Sequence, residues 1–123
     1  MSEFRLTAII VDDVAMMRKM LRDILESQNF EVIGEAANGQ EAIDLCRQRS
    51  PHLVTLDITM PVIDGLTALK EIKKLNADIK VVMVSAFGER QNVLEAIKNG
   101  AANFIVKPFN AEKVIRVINS IRF

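Results

Sequence analysis

Along the chain, the apolar positions switch repeatedly between two spacings. Residues 6–11 form a short, mostly apolar run of strand length, and Met17, Leu21, Ile24 and Leu25 then mark one face of a helix. Residues 31–36 alternate as a second, weaker strand, followed by a helix expected from about 40 to 49. Residues 53–56 predict a third strand, and Leu66, Leu69 and Ile72 predict a helix over 66–75. Residues 81–84 are a fourth apolar run, with Val93, Leu94 and Ile97 on the helix after it. A fifth strand is expected at 103–106, and Val114, Val117, Ile118 and Ile121 stripe a closing helix.

Strands that alternate strictly with helices need crossover connections, and so a parallel sheet. The unbroken apolar runs of strands one, three and four imply burial on both faces. Strand two carries Glu31 and Glu35 and belongs at an edge. The expected fold is one α/β domain over residues 1–123, a doubly wound five-stranded parallel sheet in the order 2-1-3-4-5 flanked by five helices. This is the flavodoxin-like arrangement.

Composition narrows this picture without redirecting it. Of the 123 residues, 50% are hydrophobic and 26% charged, a balance that suits a single globular core. The 16 Lys and Arg residues equal the 16 Asp and Glu residues, which leaves no electrostatic case for nucleic acid or an anionic membrane as direct partner. No apolar run reaches membrane length, and Glu3 and Arg5 interrupt any leader-like segment. The single cysteine, Cys46, has no internal disulfide partner, and a cytoplasmic location is expected. With Ala42, Ile43 and Leu45 beside it, Cys46 reads as a core residue rather than a reactive thiol.

In a parallel sheet every strand ends at the same edge. Strand one ends in Asp12-Asp13, strand three in Asp57, strand four in Ser85 and strand five in Lys107. Three carboxylates, a hydroxyl and an ammonium are thus expected to converge where α/β sheets hold their ligands. Clustered carboxylates repel. A hard divalent cation bound by oxygens, Mg²⁺ above all, would neutralise them and keep open coordination positions. Lys107 and Ser85 would offer a charge and a hydrogen bond to phosphoryl oxygens, an inventory that suits phosphoryl transfer to a carboxylate. Taken singly, each residue has a plainer explanation. Asp12 or Asp13 could cap the first helix, Ser85 could be an ordinary loop serine, and Lys107 a surface lysine. Complementary chemistry at four strand ends at once favours the site.

The segments Ile9-Ile10-Val11-Asp12-Asp13, Leu56-Asp57-Ile58-Thr59-Met60-Pro61, Asp64-Gly65, Val84-Ser85-Ala86 and Val106-Lys107-Pro108-Phe109 resemble the signature set of bacterial and archaeal response-regulator receiver domains. Each motif alone is weak; the ordered set, which spans nearly the whole chain, is specific. The resemblance implies a two-component switch rather than an enzyme with a turned-over substrate, although one able to phosphorylate and dephosphorylate itself. Asp57 is implied as the phosphoacceptor, fed by a phosphohistidine on a CheA-like histidine kinase or by a small phosphodonor. Asp12, Asp13, Asp57 and the backbone carbonyl of Thr59 are implied as the Mg²⁺ ligands. Ser85 is implied as the switch hydroxyl, Lys107 as the phosphoryl-binding lysine, and the Lys107–Pro108 bond as cis. Gly65 matches a backbone position where a side chain is disfavoured. Phe104 stands at the aromatic switch position, where tyrosine is common; it lacks the hydroxyl but can still turn inward. Thr59 and Phe87 occupy the two positions that tune phosphoryl hydrolysis, and a bulky Phe87 is expected to obstruct water and lengthen the phosphorylated lifetime.

The remodelled surface is expected to be the fourth helix, fifth strand and fifth helix, over 91–99, 103–106 and 111–121. Met16-Met17-Arg18 and the strings around Asp57 and Lys107 are most similar to single-domain chemotaxis receivers of non-enteric bacteria and archaea. A chain ending soon after its fifth helix would act by binding a partner, such as a flagellar motor-switch protein, as a monomer. The alternatives are a phosphorelay intermediate and a receiver cut from a transcription factor. The latter would dimerise on activation through a face carrying Arg90, Glu95, Lys98, Glu112, Lys113 and Arg116. Aspartate-nucleophile phosphatases need a second carboxylate where this chain has Thr59, and a dinucleotide-binding loop needs glycines where it has Asp12-Asp13-Val14-Ala15. His52 reads as a strand-edge residue, and Lys70, Glu71, Lys73 and Lys74 as a solvated helix face. Met16, Met17 and Met20 either pack inward or meet a partner.

Overall fold

The computed structural model describes residues 4–123; Glu3, one of the two charges set against a leader, lies outside them. Strands and helices alternate as β1 Thr7–Val11, α1 Ala15–Ser27, β2 Glu31–Ala36, α2 Gly39–Gln48, β3 Leu53–Leu56, α3 Gly65–Leu75, β4 Lys80–Ser85, α4 Arg90–Lys98, β5 Asn103–Val106 and α5 Ala111–Asn119. All four strand pairings are parallel, and the sheet runs β2-β1-β3-β4-β5, the order expected. No helix among the described residues is long and apolar enough to cross a membrane.

Because side chains alternate across a strand, the sheet divides the core in two. Ala8, Ile10, Leu53, Val82, Val84 and Ile105 face α1 and α5, where they meet Leu21, Leu25, Val114, Val117 and Ile118. Ile9, Val11, Val54, Leu56, Val81 and Met83 face α2, α3 and α4, against Ile43, Cys46, Leu69, Ile72 and Ala96. Strands β1, β3 and β4 are therefore buried along their length apart from Thr7 and Lys80 at their starts, whereas β2, at the edge, buries only Ala36. Asn38, Asp64 and Asn110 cap α2, α3 and α5, each side chain accepting a main-chain N–H from the first turn. Burial pushes the Cys46 thiol up to about 12, so it is protonated and inert at neutral pH, as a core residue should be.

Four local expectations need correction. Leu94 and Ile97 were placed on an apolar helix face, yet they are 56% and 47% exposed, and only Ala96 of α4 is buried. The residue that α4 buries is the small Ala96, while Val93 is half-buried. Ile121 lies beyond α5, where Ser120 ends the helix with its hydroxyl on the Val117 carbonyl. Lys73 is no solvated charge: its Nζ donates to the carbonyls of Ala77 and Ile79, both at 2.7 Å, and closes the turn into β4. Finally, His52 does more than sit at a strand edge. Its Nδ1 accepts the Thr7 N–H at 3.0 Å, stitching β3 to β1 at the end of the sheet opposite the acids.

Among the described residues, Thr55 Oγ1 is the one buried side-chain polar atom without a partner. An unpaired hydroxyl in an apolar layer is a net cost. Thr55→Val, which replaces that hydroxyl with a methyl, is expected to raise stability by about 1 kcal/mol. In urea unfolding this would appear as a higher midpoint at unchanged slope; a lower midpoint would show that the hydroxyl is satisfied.

Candidate functional site

The first strand delivers Asp12 to the sheet edge as a continuation of its ladder, with the Asp12 N–H on the Ala36 carbonyl at 3.0 Å. The third strand does the same for Asp57, whose N–H meets the Val11 carbonyl at 3.1 Å. Asp12 and Asp57 are 1% and 6% exposed, while Asp13 is open to solvent. One carboxylate oxygen from each of Asp12, Asp13 and Asp57 lies within 4.8 Å of the other two. Lys107, just past β5, closes the cluster: its Nζ is 2.7 Å from Asp12 Oδ2 and 3.2 Å from Asp57 Oδ2. The following Lys107–Pro108 bond is cis.

The other oxygens of Asp12 and Asp57 are tied to the backbone. Asp12 Oδ1 accepts the Val14 N–H at 2.9 Å, and Asp57 Oδ1 accepts the Ile58 N–H at 2.7 Å. Neither Asp12 nor Asp13 is the N-cap residue of α1; that position is Val14, with no side-chain cap. The plain capping explanation is thus replaced by a carboxylate that bonds the loop on one side and Lys107 on the other.

Burial pushes the Asp57 carboxyl above its ordinary range; the Lys107 charge pulls it back, and the neighbouring Asp12 adds to the rise. For Lys107 burial opposes the charged form. Its hydrogen bond to Asp12 and the negative charges of Asp57 and Asp12 outweigh that and hold it above its usual value.

Around this centre the loops supply the other expected residues. Ser85, fully buried at the end of β4, accepts the Phe87 N–H on its hydroxyl oxygen at 3.1 Å. Phe87 is 47% exposed in the same loop, and Thr59 is exposed two residues past Asp57. Phe104 stands lower on β5, partly buried and opposite Met83. The β3–α3 loop folds tightly back on the site, with the Gly65 N–H on the Ile58 carbonyl at 2.7 Å. A Cβ on Gly65 would overlap the carbonyl oxygen of Asp57, which is why glycine is needed there. In the same loop Val62 adopts φ 71°, a strained value for a β-branched residue and of a kind found near functional sites.

Arg18 stands in the Met16-Met17-Arg18 string but was given no role at the site; its Nη1 donates to the Asp12 carbonyl at 2.6 Å. A charge at helical spacing from Leu21 and Leu25, on the stripe that should be apolar, is the signal that marks it.

Comparison with known proteins agrees with this geometry. The response regulator receiver domain family matches residues 8–119. The chemotaxis protein CheY of Bacillus subtilis is 52% identical over 111 residues, covering 90% of this chain and 92% of that protein. CheY of Thermotoga maritima is 47% identical over 113 residues, covering 92% and 94%. Among solved structures, the CheX–CheY–BeF3–Mg complex from Borrelia burgdorferi matches with a TM-score of 0.91 and 38% identity, covering 94% of this chain and 87% of that one. The response regulator domain of Thermotoga maritima CheB matches with a TM-score of 0.85 and 33% identity over 98% and 100% of the two chains. With family, fold and acid cluster in agreement, the chain belongs to the response-regulator receiver domains of two-component systems and is CheY-like among them.

Proposed function

We propose that residues 1–123 act as one cytoplasmic phosphoacceptor switch, in which Mg²⁺-dependent phosphorylation of Asp57 by a CheA-like histidine kinase remodels the α4–β5–α5 face. The partner controlled by that face is the flagellar motor switch. The observation that carries this reading is the meeting of three carboxylates with a single ammonium, at one end of the sheet. Three negative charges against one positive leave two uncompensated, the charge of one divalent cation. The donors are hard oxygens, so the set fits Mg²⁺. Asp12, Asp13, Asp57 and the Thr59 carbonyl would hold the ion, which supplies charge neutralisation for an incoming phosphoryl group. The Mg-containing Borrelia relative supports the same choice.

In the transfer, a carboxylate oxygen of Asp57 attacks phosphorus, the P–N bond to the donor imidazole breaks, and the electron pair leaves with that nitrogen. Lys107, already beside Asp57, pairs with the new phosphoryl oxygens. The product carries up to about two added negative charges. Ser85 moves toward them, and Phe104 turns into the space it vacates. Phosphorylation shifts this equilibrium only by its differential stabilisation of the active arrangement. Leu94, Ile97 and Val106 are exposed apolar residues of α4 and β5, on a face that also carries Arg90, Glu95, Lys98, Glu112, Lys113 and Arg116; apolar side chains beside charges of both signs suit a protein partner. The Borrelia relative, solved in complex with CheX, supports output by protein binding.

Lys107→Met is expected to destabilise the Mg²⁺-free protein by about 3 kcal/mol, because it strands buried carboxylates without a counter-charge. Added Mg²⁺ should recover part of that loss; equal stability of variant and wild type in urea unfolding would count against the charge balance.

The output is tested by titrating the protein with Mg²⁺, with and without beryllofluoride, into a labelled N-terminal peptide of a flagellar motor-switch protein. Sedimentation reports the oligomeric state of the same samples. Activation-dependent binding by a monomer, abolished in Asp57→Asn, is the expected result. Dimerisation on activation without peptide binding would indicate a transcription-factor receiver instead, and neither response would remove the motor as target.

Phe87→Glu is expected to speed loss of the aspartyl phosphate severalfold by opening the path for water. An unchanged dephosphorylation rate, followed with radiolabelled phosphate, would remove Phe87 from that role.

A further inference from the structure

Arg18, in the first turn of α1, is held at two points on its guanidinium. Nη1 donates to the main-chain carbonyl of Asp12 at 2.6 Å, and Nε donates to Glu35 Oε1 on β2 at 3.1 Å. The other oxygen of Glu35 takes Arg22, one turn further along α1, at 2.7 Å. The two arginines thus clamp a carboxylate that rises from β2 toward α1. Arg18 is largely buried by these contacts, with 20% of its side chain exposed.

Both backbone groups of Asp12 are therefore fastened to the edge strand. Its N–H bonds the Ala36 carbonyl directly, and its carbonyl is tied through Arg18 to Glu35. The Asp12 carbonyl and the Asp13 N–H share one rigid peptide plane, so a fixed oxygen also fixes the direction in which Asp13 leaves the chain. That matters for Asp13 in particular. Asp12 and Asp57 are oriented by Lys107 and by main-chain N–H groups, but the Asp13 carboxylate has no hydrogen bond or ion pair of its own among the described residues.

We infer that Arg18 is a positioning residue for the acid pair: with Glu35 behind it, it sets the Asp12–Asp13 peptide plane and so the affinity of the site for a divalent cation. This rests on the proposal that the three carboxylates bind Mg²⁺. The inference has a sign that simple electrostatics does not share. Removing a cation close to an acidic cluster should by Coulomb's law tighten Mg²⁺ binding, whereas removing the group that aims the ligands should weaken it.

The experiment is Mg²⁺ binding by calorimetry, since the chain has no tryptophan or tyrosine to report it. Wild type, Arg18→Met, Arg18→Lys, Glu35→Gln and the Arg18→Met/Glu35→Gln double variant are compared, with the Mg²⁺-free unfolding midpoint of each. Arg18→Met is expected to weaken Mg²⁺ binding about tenfold, the scale on which residues supporting metal ligands act. Arg18→Lys, which keeps a donor for the Asp12 carbonyl, should recover part of the loss. Glu35→Gln should weaken binding in the wild-type background and add little in the Arg18→Met background, because Glu35 acts through Arg18. A merely structural role would lower unfolding midpoints while leaving the affinity of the folded protein unchanged. Unchanged or tighter binding by Arg18→Met, beside a wild type that binds Mg²⁺, would overturn the positioning role alone. Should Arg18→Met not fold, Arg18→Lys, which keeps the charge but not the two-point hold, decides: weaker binding than wild type supports the positioning role, and unchanged binding overturns it. A wild type that binds no Mg²⁺ would overturn the cation site and this inference together.

Discussion

Three carboxylates gathered at one edge of a sheet repel one another, and the ammonium of Lys107 is what lets two of them remain buried there. Its contacts of 2.7 Å with Asp12 and 3.2 Å with Asp57 join residues from β1, β3 and the end of β5. The pairing is charge-assisted and poorly screened, with 14% of the Lys107 side chain exposed. Even so it is incomplete, since one positive charge stands against three negative ones. An arrangement that needs further positive charge to reach balance is chemically suited to a divalent cation.

The scaffold around this centre is unequal on its two sides. The strands that carry Asp12, Asp57 and Ser85 lie inside the sheet and are buried apart from Thr7 and Lys80 at their starts, so the acids stand on well-packed strands. The loop after β4 and helix α4 are held much more lightly. Ser85 is tied to Phe87 through one hydrogen bond, Gly88 packs against the exposed Val106, and α4 buries only Ala96. The same thin attachment leaves Leu94 and Ile97 facing outward.

The edge strand has a part of its own. Glu31 and Glu35 look alike as exposed acids of a sheet margin, but Glu35 is gripped by Arg18 and Arg22. Through Arg18 the margin of the sheet reaches the carbonyl of Asp12. What resembles a solubilising charge on β2 is the outer end of a brace.

Much of this was legible in the residues. A period that alternates between strand and helix imposes crossovers and a parallel sheet, and such a sheet brings all its strand ends to one edge. Asp12, Asp13, Asp57 and Lys107 could thus be grouped from their positions alone, because backbone topology decides which strand ends meet. Helix caps at Asn38, Asp64 and Asn110 are equally local and follow from residue type. Periodicity records only that a helix has an apolar side, so whether Val93, Leu94 and Ile97 faced core or solvent waited on how closely α4 approaches the sheet. The bonds of His52 to Thr7, of Lys73 to Ala77 and Ile79, and of Arg18 to Asp12 and Glu35 belong to the same class. Each joins a side chain to a group placed by separate elements or by the path of a loop, and depends on positions set to within about a few tenths of an ångström. Sequence by itself determined the topology and the chemistry gathered at its edge, because both follow from the order of residue types. Tertiary structure alone decided which charges are held and which helix face is left bare, because those depend on packing between elements that no local pattern encodes.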